Sequence, residues 1–293
     1  MNNHSSDVSN YKPEFLSYLR ELKPWLDEIG YHIEHGDYIR HDPVQFLHRY
    51  THKENNLLAG FFGALMAWGR RDIVIRKVDE LLQLMDDQPA DFIYNFSPDQ
   101  FGRFQQFKHR TFKPVDIYWL MMILKRILWK YDGFAEFWRQ CYRQSQREEE
   151  HFLSTFQREF TAIAPDMADR TNKHIATPEK NSSCKRLCLY LKWTNRPGSP
   201  VDTNLLGFLP PSEIPIPLDV HVARYARELG LLHRSYNDWK SVAMLTGVLK
   251  QMAPEDPSWY DFALFGLGIS ELSIPDKIHQ KAILFRENGI LEN

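Results

Sequence analysis

Apolar residues recur along this chain at intervals of three and four, and the alternation that marks a half-buried strand is scarce. Leu57, Leu58, Phe61, Phe62, Leu65 and Met66 form the strongest run. It is apolar nearly all round, which predicts a central helix buried on every side. Gly69 stands where it can end that helix. Asp72 stands where it can cap an amphipathic helix whose Ile73, Val74, Val78, Leu81 and Leu82 face inward. Further helices are predicted over Leu120 to Trp129, Phe134 to Tyr142 and Phe152 to Ala164, the last stopped by Pro165. Between Arg196 and Pro217, six prolines and two glycines in 22 residues predict an ordered loop. After it come helices over Val220 to Gly230, Trp239 to Met252 and Trp259 to Gly268. No internal repeat or low-complexity segment interrupts the pattern. The expected fold class is all-α, with roughly six to ten helices around a compact core.

Composition narrows the function. The 293 residues are 43% hydrophobic and 14% aromatic, enough for one large domain or two smaller ones. The net charge of −2 leaves no global basic field, so any nucleic-acid binding must come from a local patch. Three cysteines argue against a disulfide scaffold. The polar stretch Met1 to Asn10 lacks the apolar region of an export signal, and no apolar run reaches the about 18 residues that cross a bilayer. The expectation is a cytoplasmic protein with no membrane partner.

Two segments carry candidate chemistry. Lys180 to Arg196 holds Lys180, Lys185, Arg186, Lys192 and Arg196 and no acid. On a helix, Cys184, Leu187, Cys188 and Leu191 make the buried stripe, flanked by Lys185, Arg186 and Lys192. That face is either an ordinary solvated surface or a phosphate-contacting one, where cations displace condensed counterions. A lysine early in a helix, beside other cations, has reasons to lose its proton, and a neutral amine is what a Schiff-base nucleophile needs. In Ile214 to Gly230, Pro215 and Pro217 stiffen the approach to Asp219, which precedes an amphipathic helix. Asp219 is at least an N-cap. A capped carboxylate is also rigid and ionised, suited to stabilising a cationic sugar or taking a proton from an amine.

Together these segments resemble the helix–hairpin–helix DNA glycosylase superfamily, which includes endonuclease III and the 8-oxoguanine glycosylases. The run Pro217-Leu218-Asp219-Val220-His221-Val222-Ala223-Arg224 is similar to the stretch whose aspartate caps a helix in that superfamily. Cys184-Lys185-Arg186-Leu187 falls where its lysine stands. Leu65 to Asp72 looks like the helix-turn that ends beside the flipped-out base, and Trp259 to Gly268 like the closing helix. The segments occur in the superfamily's order over about two-thirds of the chain. The 34 positions from Lys185 to Asp219 resemble the archaeal 8-oxoguanine type, and the whole chain resembles a bacterial family of unknown function. Three departures stand out. Asn181-Ser182-Ser183 replaces a glycine-rich hairpin, Gly69 stands where the superfamily has a glutamine beside the flipped base, and the iron–sulfur loop of endonuclease III is absent.

The resemblance implies two helical subdomains with a cleft between them. Residues 57–196 would form a central domain, residues 1–56 plus 217–293 a second, and 197–216 the connecting loop. It implies a base-excision repair glycosylase and AP lyase acting as a monomer on double-stranded DNA with a damaged base, an oxidised purine as the guess, associated with the nucleoid when bound. Lys185 would be the nucleophile and Asp219 its acidic partner, on opposite walls of the cleft. Lys180, Asn181, Ser182, Ser183, Arg186, Lys192, Arg70 and Arg71 would contact DNA. Trp68, Tyr190 and Trp193 are candidates to stack on a base. No cofactor and no metal are expected. His48 and His52 have a helical metal-binding spacing but no Glu follows His48, and Cys184 and Cys188 read as core thiols. Two other readings survive: a DNA-binding relative without chemistry, and a helical protein-interaction scaffold.

Overall fold

A computed structural model describes residues 11–292 except Ala168 and Glu271, so Met1 to Asn10 lies outside the described residues. The protein is all-α. Among the described residues no strand forms, only isolated bridges at Tyr11–Leu291 and His109–Phe112. No helix among them is long and apolar enough to cross a membrane.

The helices are α1 (Pro13–Ile33), α2 (Lys53–Met66), α3 (Arg71–Leu84), α4 (Pro89–Asn95), α5 (Pro114–Tyr131), α6 (Phe134–Glu148), α7 (Phe152–Ala162), α8 (Asp169–Asn172), α9 (Lys185–Thr194), α10 (Val220–Glu228), α11 (Trp239–Lys250), α12 (Tyr260–Ile269) and α13 (Asp276–Asn288). That is more than the periodicity announces. Helix α1 buries Phe15, Leu19, Leu22, Leu26, Ile29 and Ile33 at helical spacing, but Pro24 stands inside it and hides the pattern. Helices α4 and α8 are too short to show a period.

The chain divides into two compact units. The central unit comprises Asp37–Lys180 and Trp193–Phe208. Helix α2 runs through it with every residue from Asn55 to Met66 buried, as its all-round apolarity predicts. Each fully buried Leu or Phe of such a helix contributes about 1.5–3 kcal/mol. Phe61 meets the edge of Phe134 at 4.9 Å, and Trp138 stacks on Phe156 at 3.7 Å, so α2, α6 and α7 share one aromatic cluster. Glu54, in the first turn of α2, accepts the Phe134 N–H at 2.7 Å and so caps α6 from 80 residues away. Burial raises the Glu54 pKa. Helix α3 starts one residue before the expected cap. Arg70 holds the N-cap position, and Asp72 instead supplies first-turn negative charge.

The terminal unit comprises Met1–Gly36, Asn181–Lys192 and Leu209–Asn293. Helix α1 packs along α12 and against α13, and α10 packs on both α12 and α13. The Tyr18 hydroxyl donates to the Leu229 carbonyl (2.9 Å) and the Tyr260 hydroxyl to Asp27 (2.8 Å). This division departs from the sequence-based one in three places: residues 37–56 belong with the central helices, residues 181–192 with the terminal segments, and the connection 197–216 is shared, up to Phe208 with the central unit and from Leu209 with the terminal one.

Helices α1 and α12 touch through Gly266, where an added Cβ would lie 2.7 Å from Ile33 Cγ1 and 3.2 Å from Ile29 Cγ2. A helical Gly→Ala exchange gains about 1 kcal/mol of propensity, whereas overpacking a tight contact costs about 1–3 kcal/mol. Gly266→Ala is therefore expected to lower the thermal midpoint. A raised midpoint would mean that α1 moves aside freely.

Candidate functional site

The approach to Lys185 is a tight turn of non-glycine residues. Asn181 (φ +53°) and Cys184 (φ +49°) both take the left-handed conformation, which asparagine tolerates better than cysteine does. The two serines provide a local bond instead of conformational freedom: Ser182 Oγ accepts the Cys184 N–H at 3.2 Å. The turn is tethered at Asn181, whose side-chain amide donates to Asp238 Oδ2 at 3.2 Å. Asp238 is itself the N-cap of α11, accepting the Ser241 N–H at 2.9 Å, and it pairs with Arg234. The Arg234 hydrogen bond holds the Asp238 carboxyl well below the usual carboxylate range. Lys185 then opens α9 as a half-buried residue, and Lys180 is exposed before the turn. The element preceding the turn is a single 3₁₀ turn, Pro178–Lys180, rather than a full helix.

Asp219 caps α10 as expected. Its Oδ1 accepts the N–H groups of His221 and Val222, both at 2.9 Å, which leaves Oδ2 outside the cap. The Ile216 N–H donates to Thr246 Oγ1 (3.1 Å) and anchors the proline-stiffened approach on α11. Within the motif, His221 lies against α12, because a Cβ on Gly268 would fall 2.9 Å from His221 Nδ1. Asp219 and Lys185 both belong to the terminal unit, not to two different domains.

Several expected contacts are corrected. No residue from Leu187 to Arg196 is exposed. Lys192 is 1% exposed, with Nζ 3.6 Å from Asp261 and 3.5 Å from the Phe262 ring centroid, so it is a buried, paired cation and not a phosphate contact. Tyr190 (0% exposed) and Trp193 (3%) belong to the core and offer no ring to a base. Arg186 is half-buried and Asn181 exposed, while Ser182 and Ser183 are half-buried. Beyond Lys192 the chain folds back on itself: the Thr203 N–H donates to the Trp193 carbonyl (2.6 Å) and Arg196 pairs with Asp202.

The remaining candidates lie in the central unit. Trp68 is 54% exposed. Arg70 pairs with Asp72 at 2.8 Å, and Arg71 with Asp42 at 3.6 Å. His48 and His52 do not share a helix: His48 Nε2 donates to the Val201 carbonyl (2.7 Å) and His52 precedes α2. Cys141, Cys184 and Cys188 are free and buried, and burial pushes the Cys184 thiol up to about 12. Two features went unread in the sequence. One is Asp238, which looks like any other cap. The other is the run Lys108 to Lys113, three cations without an acid.

A family described as protein of unknown function (DUF2400) matches residues 42–270. The chain belongs to this family. The DUF2400 match takes in α2 through α12, and with them Trp68, Lys185, Asp219 and Asp238. Comparisons with curated proteins and with solved structures gave no match.

A folded pKa lowered by a partner contributes stability above the unfolded carboxylate value, about 3.9, and that contribution is lost as pH falls through the folded pKa. Asp238→Asn is thus expected to melt lower than the wild type at pH 7, with the gap closing as pH falls below about 4. Parallel melting curves at every pH would remove Asp238 as the tether of the Lys185 turn.

Proposed function

We propose that this protein is a DNA glycosylase with lyase activity that removes a damaged base through a lysine Schiff base. One observation carries the reading. A half-buried lysine opens α9 directly after a left-handed turn, and the same unit holds an aspartate whose second oxygen is not used by its helix cap. The resemblance of the Pro217 to Arg224 run to the glycosylase motif supports the same assignment.

On this reading a nucleotide is extruded from the duplex, at a cost of a few kcal/mol. The Lys185 amine attacks C1′, and the base departs with the electrons of the glycosidic bond. Asp219 takes the proton that the amine releases and stabilises the cationic sugar as it forms. Loss of the ring oxygen's bond to C1′ gives the Schiff base. Removal of a C2′ proton then breaks the bond from C3′ to the phosphate oxygen and nicks the strand. An oxidised purine is the substrate suggested by the spacing between Lys185 and Asp219. A DNA-binding relative without chemistry is the second reading, favoured by the single 3₁₀ turn that stands in place of a hairpin helix.

Borohydride trapping on duplexes carrying 8-oxoguanine or an abasic site tests the proposal. Wild type is expected to form a covalent product that Lys185→Gln does not. Trapping of Lys185→Gln would move the nucleophile elsewhere, and neither trapping nor base release by the wild type would favour the second reading. Asp219→Asn separates charge from capping, because asparagine caps as well as aspartate. It is expected to keep the melting temperature and lose about 10²–10⁴-fold in rate. An equally active Asn variant would reduce Asp219 to a helix cap.

A further inference from the structure

The run Lys108 to Lys113 folds as a two-residue turn. His109 and Phe112 exchange backbone hydrogen bonds of 3.4 and 2.8 Å, with Arg110 left-handed at the tip (φ +54°). An arginine held in that conformation needs surroundings that over-determine it. They are present. Phe107 and Phe112 are buried, and Phe112 stacks on His174 at 3.7 Å. His109 is buried too, and its Nε2 donates to the carbonyl of Met66, the last residue of α2, at 3.0 Å. The turn is fastened from inside and leaves Lys108, Arg110 and Lys113 exposed.

The same bond sets the turn beside Trp68. The Arg110 guanidinium lies 6.0 Å from the Trp68 ring centroid. It also lies so close to Gly69 (φ +102°) that a Cβ there would be 2.1 Å from Nη2. Neighbouring cations are balanced: Arg70 by Asp72, Arg71 by Asp42, and Arg170, whose Nη2 donates to the Thr111 carbonyl (3.3 Å), by buried Asp116. Among the described residues, Lys108, Arg110 and Lys113 enter no ion pair. The patch therefore combines three unbalanced cations with an indole more than half exposed.

We infer that Trp68 and the Lys108–Lys113 turn form a docking surface for nucleic acid with an unpaired base, the base stacking on Trp68 and the flanking phosphates meeting Lys108, Arg110 and Lys113. One exposed aromatic face beside several cations suits one unpaired base and its flanking phosphates. An acidic protein segment would use the cations but not the indole. The inference is independent of the Lys185 chemistry: it requires nucleic acid, not base excision.

Anisotropy of a labelled oligo-dT of about 12 nucleotides, from about 50 to 200 mM salt, reads both parts of the surface. Trp68→Ala is expected to weaken binding about tenfold at every salt concentration. The triple variant Lys108→Ala, Arg110→Gly, Lys113→Ala is expected to flatten the salt slope by about 2, at about 0.7 per phosphate contact on a single strand. Glycine at position 110 keeps the turn, since it adopts the left-handed conformation freely. Arg147→Ala, an exposed cation of the same unit, should bind as wild type, and melting curves should show all variants folded. Wild-type binding by Trp68→Ala or an unchanged slope in the triple variant would overturn the inference. So would failure of the wild type to bind at about 50 mM salt, or equal displacement by polyglutamate, which would assign the patch to acidic proteins. Each of these results is separable from loss of trapping in Lys185→Gln, which leaves this surface untouched.

Discussion

Enclosure of the chain from Leu187 to Arg196 is the constraint from which the candidate site follows. Because no residue there is exposed, every charge within it needs an internal partner, and each has one: Lys192 with Asp261, Arg196 with Asp202. A buried ion pair contributes little net stability, since desolvation takes back most of the Coulomb gain, but losing one partner is expensive. The arrangement therefore resists sliding or rotation of α9. Its one accessible end is the N-terminal turn, where Lys185 stands. The backbone that carries Lys185 is held by the core, by Ser182 and by the Asn181–Asp238 tether.

The legible parts of the molecule are those where local pattern and burial agree. Helix α2 announces itself because an apolar run with no polar face has only one place to go. Helix α10 does so because proline, aspartate and an amphipathic repeat follow in order, and its cap forms as that order implies. Helix α9 was legible in its buried stripe, since Leu187, Cys188 and Leu191 are buried as their spacing implies, but not in its flanks. Its periodicity places Lys192 at the edge of the buried stripe, and only the presence of Asp261 and the Phe262 ring beside it decides that the edge is inside. Tyr190 and Trp193 fail as stacking rings for the same reason: the residue type suits either a core or a base pocket, and enclosure chooses. Arg110 shows the converse. Its contact with Trp68 depends on a histidine bond to a carbonyl 43 residues away, which no spacing rule encodes.

The two units hold their candidate residues in place by different means. In the terminal unit, polar residues are placed by helix ends, as with Lys185, Asp219 and Asp238, so their geometry is as rigid as the helices. In the central unit the exposed candidates sit on turns between helices, and rigidity comes from contacts underneath, through His109 and Phe112. Substrate chemistry tolerates little displacement, whereas a backbone contact surface tolerates more. The placement of the lysine on a helix and of the arginine on a turn matches that difference.

The three cysteines have a consequence for handling the protein. All are free, buried and held protonated by their surroundings. A thiolate-directed reagent therefore finds no target in the folded chain and three in the unfolded one. Alkylation rate becomes a clock for spontaneous opening. Cys141 reports on the central unit and Cys184 and Cys188 on the terminal one, so mass analysis of which thiol is modified first would time the two units separately in a single tube, without any label having been introduced.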